Sequence, residues 1–303
     1  MIRIHFLNVG HGDCIIIENF DTGRNTIIDI NRSKDFDETT SNELMEKYNL
    51  NNYCINEICA ALESRGYDIQ LTDPIQYIKE NNIQTPFHRF ISTHPHMDHI
   101  SGIKALYDEI GFINVWITNH NWKSNLDKLS EKQKIDWEFY ENLKNKEIQN
   151  VTVIHPLESC RVDYLQQDGL TILAPNKELL ESSNANELSY VIKLEYNGRK
   201  IIFGGDAEEK IWKYIYENYN DELLDVDILK ASHHGRDSGY YQPDVKLMSP
   251  EYTIVSVGKK PSTDASNKYR QYSDNVWSTR WKGNIIFTIN ENGDISYMLE
   301  YDR

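Results

Sequence analysis

The chain has 303 residues, of which 39% are hydrophobic, and its formal net charge at pH 7 is −15. A chain of this length can bury one large hydrophobic core, so we expect a single domain over residues 1–303. The acidic balance argues against a protein that holds duplex DNA by neutralising phosphates, because such proteins carry an excess of lysine and arginine.

The sequence shows neither a membrane span nor a signal peptide, and we therefore expect a cytoplasmic protein with no membrane partner. No apolar run approaches the ~18 residues that a transmembrane helix needs. The alternating Ile2, Ile4 and Phe6 begin a strand at once, which leaves no room for a signal peptide. The cysteines at positions 14, 54, 59 and 160 show no metal-finger spacing, and we expect reduced thiols.

The first 80 residues predict paired strands followed by a polar insertion. Residues 2–30 contain three apolar runs, with a turn at Asp21-Thr22-Gly23-Arg24 between the second and the third. Residues 31–80 are polar with scattered apolar positions, and we expect a helical insertion there. Inside it, Asp73-Pro74 is expected to begin a helix, because proline is tolerated in a first helical turn.

Residues 94–99 read His-Pro-His-Met-Asp-His and carry the strongest chemical signal in the chain. Imidazole nitrogen and carboxylate oxygen bind divalent metals at about 2.0–2.2 Å. A short β-prone run precedes the motif, and helical periodicity follows it at Ile100, Ile103, Leu106, Tyr107 and Ile110. His94 and His96 can therefore hold one ion at a strand end, while the loop turns Asp98 and His99 toward a second.

Residues 121–148 predict a second helical insertion with charged faces. The two insertions flank the metal motif in sequence order. We expect them either to set substrate choice or to form a purely structural cover over the site.

Two further strand ends downstream carry metal-ligand chemistry. The apolar run Ile201–Phe203 leads into Gly204-Gly205-Asp206, and a carboxylate at this tip could bridge two cations. The run Asp227–Ala231 leads into Ser232-His233-His234-Gly235. Each signal alone is weak, since a strand-end aspartate commonly forms a turn, but together with residues 94–99 they predict one metal centre.

The ordered set of His-x-His-x-Asp-His, Gly-Asp after a strand and His-His-Gly resembles the metallo-β-lactamase superfamily. More narrowly, the chain is similar to the soluble hydrolase domain of DNA-uptake competence proteins of the ComEC type. Residues 9–13, Val-Gly-His-Gly-Asp, resemble that branch's opening Val-Gly-Gln-Gly-Asp, with His11 in place of glutamine. Asn186-x-x-Ser189 and Ser278-Thr279-x-x-x-Gly283 resemble two of its later elements.

The resemblance covers most of the chain and thins over the two insertions. It implies an α/β fold in the form of a four-layer αββα sandwich, in which two mixed β-sheets lie between helices. The helical insertions near residues 31–80 and 121–148 would be additions to this fold.

The resemblance also implies a centre of two divalent metal ions, with zinc as the first expectation and manganese as the alternative. The implied ligands are His94, His96 and Asp206 for one ion, and Asp98, His99, Asp206 and His234 for the other. Asp98 would also orient the nucleophile, and His233 would contact the scissile group or donate a proton. The reverse roles for the two adjacent histidines stay open.

One departure from the superfamily concerns the first ion. Other members supply a third histidine there, whereas the matching element of this chain carries Asn186 and Ser189. The first metal site could therefore be weaker, more open or suited to a harder ion than zinc. His120 and His155 lie in the same interval, but their context is that of ordinary loop or strand-end histidines.

Three more residues are candidates for contacts around the metals. His11 and Asp13 of the opening motif could reach the rim of the site and support ligands from behind. Lys230, just before the histidine pair, could contact a phosphate or form a buried ion pair with an aspartate.

The leading interpretation is a metal-dependent phosphodiesterase or nuclease that activates water with two metals. An acidic surface around a cationic centre suits an anionic small molecule or a flexible nucleic acid as substrate. The first alternative is a hydrolase of carboxylic esters, lactones or amides, because the motifs do not separate these reactions. The second is a metal-bound regulatory or binding module without turnover, whose acidic surface and insertions would dock a partner. The sequence does not identify a protein partner.

Overall fold

The computed structural model describes residues 1–32, 44–65, 70–158, 168–256 and 264–301. Parts of the first predicted insertion and Cys160 lie outside the described residues. Within the described ranges, none of the helices combines the length and the apolar character that a membrane crossing requires.

The first β-sheet has eight strands and mixed direction. Its strands in chain order are β1 (Ile2–Phe6), β2 (Ile15–Asn19), β3 (Thr26–Ile28), β4 (Phe87–Ile91), β5 (Phe112–Trp116), β6 (Thr152–Ile154), β13 (Ile285–Ile289) and β14 (Ile295–Leu299). The spatial order is β14-β13-β1-β2-β3-β4-β5-β6. Neighbours from β14 to β3 are antiparallel, and those from β3 to β6 are parallel.

The second sheet has six strands and is also mixed. Its strands are β7 (Leu170–Ala174), β8 (Val191–Tyr196), β9 (Arg199–Phe203), β10 (Ile228–Lys230), β11 (Tyr252–Val255) and β12 (Asn275–Ser278). They lie in the order β12-β11-β10-β9-β8-β7. The four strands β9 to β12 run parallel, and β7 and β8 are antiparallel to their neighbours.

Helices cover the outer face of each sheet. The first sheet packs against α2 (Pro74–Glu80), α4 (Ile103–Glu109) and α5 (Glu131–Lys144), and the second against α6 (Glu209–Tyr219), α7 (Gln242–Met248) and α8 (Ser266–Tyr269). Other helices include α1 (Ile55–Glu63), α3 (Met97–Ile100) and α9 (Thr279–Lys282).

Three apolar cores separate these layers. The central core joins the sheets, and in it the ring centroid of Phe6 lies 6.3 Å from that of Phe203 and 6.1 Å from that of Phe287. An outer core lies beneath α2, α4 and α5, and another beneath α6, α7 and α8. Helix, sheet, sheet, helix is the four-layer order, so the architecture expected from the sequence is confirmed.

Local sequence signals explain where several helices begin. The Asp73 side chain accepts hydrogen bonds from the backbone N–H groups of Ile75 and Gln76 at the start of α2, which confirms the helix expected after Asp73-Pro74. Helix α5 falls within residues 121–148, and Ser130 and Gln133 form a reciprocal capping box at its start.

The helical run predicted after residue 99 is interrupted. The structure divides it into α3 and α4 around Ser101 and Gly102. Gly102 has φ 96°, and a Cβ added there would stand 2.7 Å from Cβ of Arg32, so glycine permits both the turn and the close approach. The break lets α3 carry the end of the metal motif while α4 packs into the outer core.

Candidate metal centre

The metal-type side chains come from the ends of strands in both sheets. Residues 94–99 follow β4 of the first sheet, whereas Asp206 follows β9 and residues 233–234 follow β10 of the second. Because β9 and β10 are parallel neighbours, their carboxyl ends meet at one edge of the sheet. The Nε2 atom of His94 lies 3.7 Å from Oδ2 of Asp206, so this contact joins the two sheets at the site.

One group of ligand atoms comprises His94, His96 and Asp206, whose nearest atoms all lie within 4.8 Å of one another. Nε2 of His94 is 3.0 Å from Nδ1 of His96, and the other nitrogen of His94 is 3.2 Å from the Thr93 hydroxyl. Burial lowers the pKa of His94 well below its ordinary value, and the neighbouring His99 acts in the same direction. The ring is therefore neutral and its lone pair is available to a cation.

A second group comprises Asp13, His99, Asp206 and His234, all of them buried. Oδ1 of Asp206 lies 3.3 Å from Nε2 of His99 and 3.5 Å from Nε2 of His234. The two carboxylate oxygens of Asp206 thus face different groups, Oδ2 toward His94 and Oδ1 toward the second group. This is the placement that a bridging carboxylate requires.

Asp98 lies at the edge of the second group rather than inside it. Its Oδ2 is 3.2 Å from Nε2 of His234 and 3.7 Å from Nε2 of His11, and these three residues form a third group within the same distance limit. The resemblance implied that Asp98 would join His99, Asp206 and His234 as a ligand. In the structure the buried carboxylate in this group is that of Asp13. The side chain of Asp98 is 27% exposed, so it faces the opening of the site.

The atoms at the centre of the second group fit a cation. Nε2 of His99 and Oδ1 of both Asp13 and Asp206 are buried without a hydrogen-bond partner. Unpaired buried acceptors are costly in a folded protein. A divalent cation between them would use these lone pairs, so the donor set matches the group that the sequence implies.

The electrostatics of the second group lead to the same conclusion. Burial by itself would lower the pKa of His234, but Asp206, Asp13 and Asp98 raise it to about 9. Burial would also lower the pKa of His99, but Asp206 and Asp29 outweigh it and raise that pKa well above its ordinary value. The carboxylates therefore attract positive charge to this point, and a bound metal would take the place of the protons.

Asp29 fixes the orientation of His99. Its Oδ2 lies 2.7 Å from Nδ1 of His99 and accepts a 2.7 Å hydrogen bond from the hydroxyl of Thr93, while its Oδ1 accepts one of 2.7 Å from the backbone N–H of Thr93. With Nδ1–H bound to a carboxylate, Nε2 keeps its lone pair toward the centre. Sequence reasoning missed this residue, although Asp29 follows the apolar strand β3 as Asp206 follows β9.

Lys230 and Asp13 form a buried ion pair. The ammonium of Lys230 donates a 2.7 Å hydrogen bond to Oδ2 of Asp13, and both side chains are almost fully buried. Of the two uses expected for Lys230, the structure shows the ion pair. The pair also turns Oδ1 of Asp13 toward His234, whose Nδ1 lies 3.7 Å away.

Asn186 and Ser189 support the centre from behind. The Ser189 hydroxyl accepts a hydrogen bond from the backbone N–H of Asp206 at 3.2 Å. The amide of Asn186 donates a 2.9 Å hydrogen bond to Glu208, whose carboxylate also lies 3.4 Å from Nδ1 of His233. Neither Asn186 nor Ser189 belongs to a ligand group among the described residues. Glu208 was not a sequence candidate, and its place two residues after Asp206 was the available signal.

The adjacent histidines point in different directions. His233 and His234 both have left-handed backbone angles, with φ 48° and 53°. His234 enters two ligand groups, whereas His233 enters none of those found among the described residues. Nε2 of His233 is 3.9 Å from Asp206, and its Nδ1 is 2.6 Å from the Ser238 hydroxyl. Burial lowers the pKa of His233, so its ring is neutral near pH 7.

His120 and His155 lie away from the ligand groups found in the described ranges. Nε2 of His120 is 2.8 Å from the Tyr140 hydroxyl, and Nδ1 of His155 donates to the carbonyl of Ile117 at 2.8 Å. Both are held by local contacts, as the sequence context indicated.

Comparisons with known proteins find similarity among solved structures only. No protein-family model matches the chain, and no curated protein matches it. It is similar to Igni18, a metallo hydrolase from the archaeon Ignicoccus hospitalis, with 14% identity, a TM-score of 0.49 and 98% of each chain covered. A diphosphatase of the PhnP family gives 10% identity and a TM-score of 0.41 over 95% of this chain and 98% of that one.

A third similar structure, the hydrolase AbOPH in the beta lactamase superfamily, gives 15% identity and a TM-score of 0.34. The alignment covers 64% of this chain and spans about half of the other, at 55%. Because all three TM-scores lie below 0.5, the fold and the ligand groups are inferred from this chain alone.

Proposed function

We propose that this chain is a metal-dependent hydrolase that cleaves phosphodiesters with two divalent metal ions. The observation that carries the proposal is the position of Asp206, whose two carboxylate oxygens face separate histidine groups. When bound, two divalent cations supply Lewis acidity that activates water and stabilises charge on the attacking and leaving oxygens. The resemblance to the competence-type hydrolase domain supports a phosphodiester or nucleic-acid substrate over a carboxylic ester.

The residues divide into ligands, supports and groups that face the substrate. The proposed ligands of the first ion are His94, His96 and Asp206, and those of the second are His99, Asp206 and His234 with Asp13 or Asp98. We propose zinc as the native ion, since imidazole and carboxylate donors suit it, with manganese as the alternative.

Asp98 and His233 have the catalytic roles in this proposal. The partly exposed position of Asp98, 3.2 Å from His234, allows its carboxylate to accept a hydrogen bond from the attacking water. His233 stands next to Asp206 but outside the ligand groups found in the described residues. Its neutral ring would hydrogen-bond the leaving oxygen and hold a proton there, in place of its 3.5 Å contact with Arg236.

The test is turnover of bis-p-nitrophenyl phosphate, compared with a panel of carboxylic esters and lactones, in zinc and in manganese. Asp206→Asn is the test variant, and Asp108→Asn is the matched control because Asp108 is half-exposed and pairs with Lys104 away from the centre. We expect phosphodiester cleavage that Asp206→Asn abolishes and Asp108→Asn leaves intact. Cleavage of the esters alone would refute the phosphodiesterase assignment, and metal binding without any turnover would refute the enzymatic one.

A further inference from the structure

Arg236 follows the histidine pair and its guanidinium lies between two imidazoles of the site. Nη2 is 3.1 Å from Nε2 of His11, and Nη1 is 3.5 Å from Nε2 of His233. His11 in turn lies 3.7 Å from the carboxylate of Asp98. The cation therefore contacts His233, to which we assign a catalytic role, and His11 connects it to Asp98, which has the other.

The partners of Arg236 differ from those of other arginines in the chain. Arg32, Arg89 and Arg199 each contact an aspartate, at 2.8, 3.0 and 2.9 Å respectively. Among the described residues no carboxylate forms an ion pair with Arg236, and its Nε–H is buried without a hydrogen-bond partner. A guanidinium offers five donors in a planar fork that matches phosphate and carboxylate oxygens.

The backbone holds Arg236 in place. Its N–H donates to the carbonyl of His233 at 2.9 Å, and its own carbonyl accepts from Gly239 at 3.0 Å. It also forms an isolated antiparallel bridge with Asp264. Gly235 before it has φ 77°, and a Cβ there would stand 2.6 Å from Cγ1 of Val255, so the turn that presents Arg236 requires glycine.

His11 could either bind a metal with Asp98 and His234 or orient Arg236, and its contact with Arg236 favours the second role. A guanidinium can only donate, so Nε2 of His11 is the acceptor and its lone pair is directed at Arg236. The same lone pair is then not directed at a cation near Asp98. His11 is therefore better suited to orient Arg236 than to bind a metal through Nε2.

We propose that Arg236 binds the anionic group of the substrate by donating to the non-reacting oxygens of a phosphodiester. This inference rests on the proposed function, and it names the residue that selects a charged phosphodiester over a neutral ester. The substrate anion replaces the weak imidazole contacts of Arg236 with charge-assisted hydrogen bonds, which are the stronger kind. His11 is a positioning residue that keeps the guanidinium at the mouth of the site.

The test uses a matched pair of probes that differ in charge but not in phosphorus chemistry. Titration calorimetry on metal-loaded protein measures the affinity for diethyl phosphate, which is an anion, and for triethyl phosphate, which is neutral. The variants are Arg236→Gln and Arg236→Lys, and Arg270→Gln is the control, because Arg270 is exposed and contacts Asn267. Metal content and the KM for bis-p-nitrophenyl phosphate are measured on the same preparations.

We expect Arg236→Gln to weaken diethyl phosphate binding at least tenfold and to raise the KM by a similar factor, as the loss of charged hydrogen bonds predicts. Arg236→Lys should lose less affinity for diethyl phosphate than Arg236→Gln, and the Arg270→Gln control should match the wild type in affinity and KM. Triethyl phosphate affinity and metal content should not change. Equal weakening of both probes, or loss of metal, would overturn the proposal by showing a structural role for Arg236.

The experiment separates this inference from the proposed function. Arg236-dependent binding of diethyl phosphate without cleavage of any phosphodiester supports the anion site and refutes the phosphodiesterase activity. Cleavage that Arg236→Gln leaves unchanged, with unchanged diethyl phosphate affinity, supports the activity and overturns the role of Arg236.

Discussion

Replacing Asp29 with asparagine is expected to weaken the second metal site without disturbing the fold. Asparagine has the same shape, and it tolerates the left-handed backbone that Asp29 adopts at φ 56°. The side-chain oxygen of the asparagine must accept the hydrogen bond from the backbone N–H of Thr93, because that group can only donate. The side-chain NH2 group would then face Nδ1 of His99. His99 would then carry its proton on Nε2, where the metal needs a lone pair.

The magnitude follows from the contact that is lost. The 2.7 Å bond between Asp29 and Nδ1 of His99 joins a carboxylate to an imidazole. Hydrogen bonds to charged groups contribute about 1.5–3 kcal/mol. Loss of such a partner behind a metal ligand commonly reduces metal affinity by about 10–100-fold, which corresponds to about 1.4–2.7 kcal/mol. The two estimates agree.

Competition with a chromophoric chelator measures the two metal affinities of wild type and Asp29→Asn. We expect the metal affinity of the second site to fall by about 10–100-fold. The metal affinity of the first site, assigned to His94 and His96, should stay within about threefold of the wild-type value. Thermal unfolding of the metal-free proteins tests that the fold is unchanged, and Asp108→Asn is again the matched control. Two unchanged metal affinities in a folded Asp29→Asn protein would refute the role given to Asp29.

Four other substitutions have defined outcomes. His94→Ala should bind one metal fewer per chain by elemental analysis and lose turnover; a variant with full turnover would contradict the ligand assignment. His233→Gln should lower kcat with metal content intact, whereas His234→Gln should lower both, and the opposite pattern would exchange their roles. Burial raises the pKa of Asp244 to about 8, and neither of its oxygens has a hydrogen-bond partner among the described residues. The contribution of Asp244 to the free energy of unfolding should therefore be highest below the unfolded pKa of about 3.9 and fall by up to ~1.4 kcal/mol per pH unit toward pH 8. The difference between the urea unfolding free energies of the wild type and Asp244→Asn should fall with this slope as the pH rises; a difference that does not change with pH would contradict the assignment.

The chemistry of the site was largely predictable from sequence because it is concentrated at strand ends. The run at residues 94–99 and the Gly-Asp and His-His-Gly motifs are local patterns, and each follows an apolar strand. The structure brings His94, His96 and Asp206 into one group, as the resemblance implied. Apolar runs likewise indicated six of the strands, namely β1, β2, β3, β4, β9 and β10.

Asp13 and Lys230 were candidates from the sequence, but the partners of the supporting residues could not be predicted, since the contacts join distant segments. Asp29 reaches His99 because β3 and β4 are parallel neighbours, which local patterns do not reveal. Asp13 enters the ligand group through its pairing with Lys230, which is 217 positions away. Arg236 is an ordinary loop arginine in sequence, and it becomes notable only when His11 is placed beside it.

For the two predicted insertions, composition indicated helices but not which residues of the site they would contact. Their polar composition indicated helices, and α5 is present in the second. Trp122 of this region places its ring 5.5 Å from that of His96, so the segment borders the first ligand group. Composition alone could not show that contact, because it depends on how the insertion packs against the first sheet.

The most direct test of the account is the metal content of the purified protein, measured by elemental analysis after loading with zinc or manganese and removal of free ion. The account predicts about two ions per chain in the wild type, because Asp206 faces two separate ligand groups. No bound metal under either condition would contradict the proposed centre and, with it, the hydrolase that depends on it.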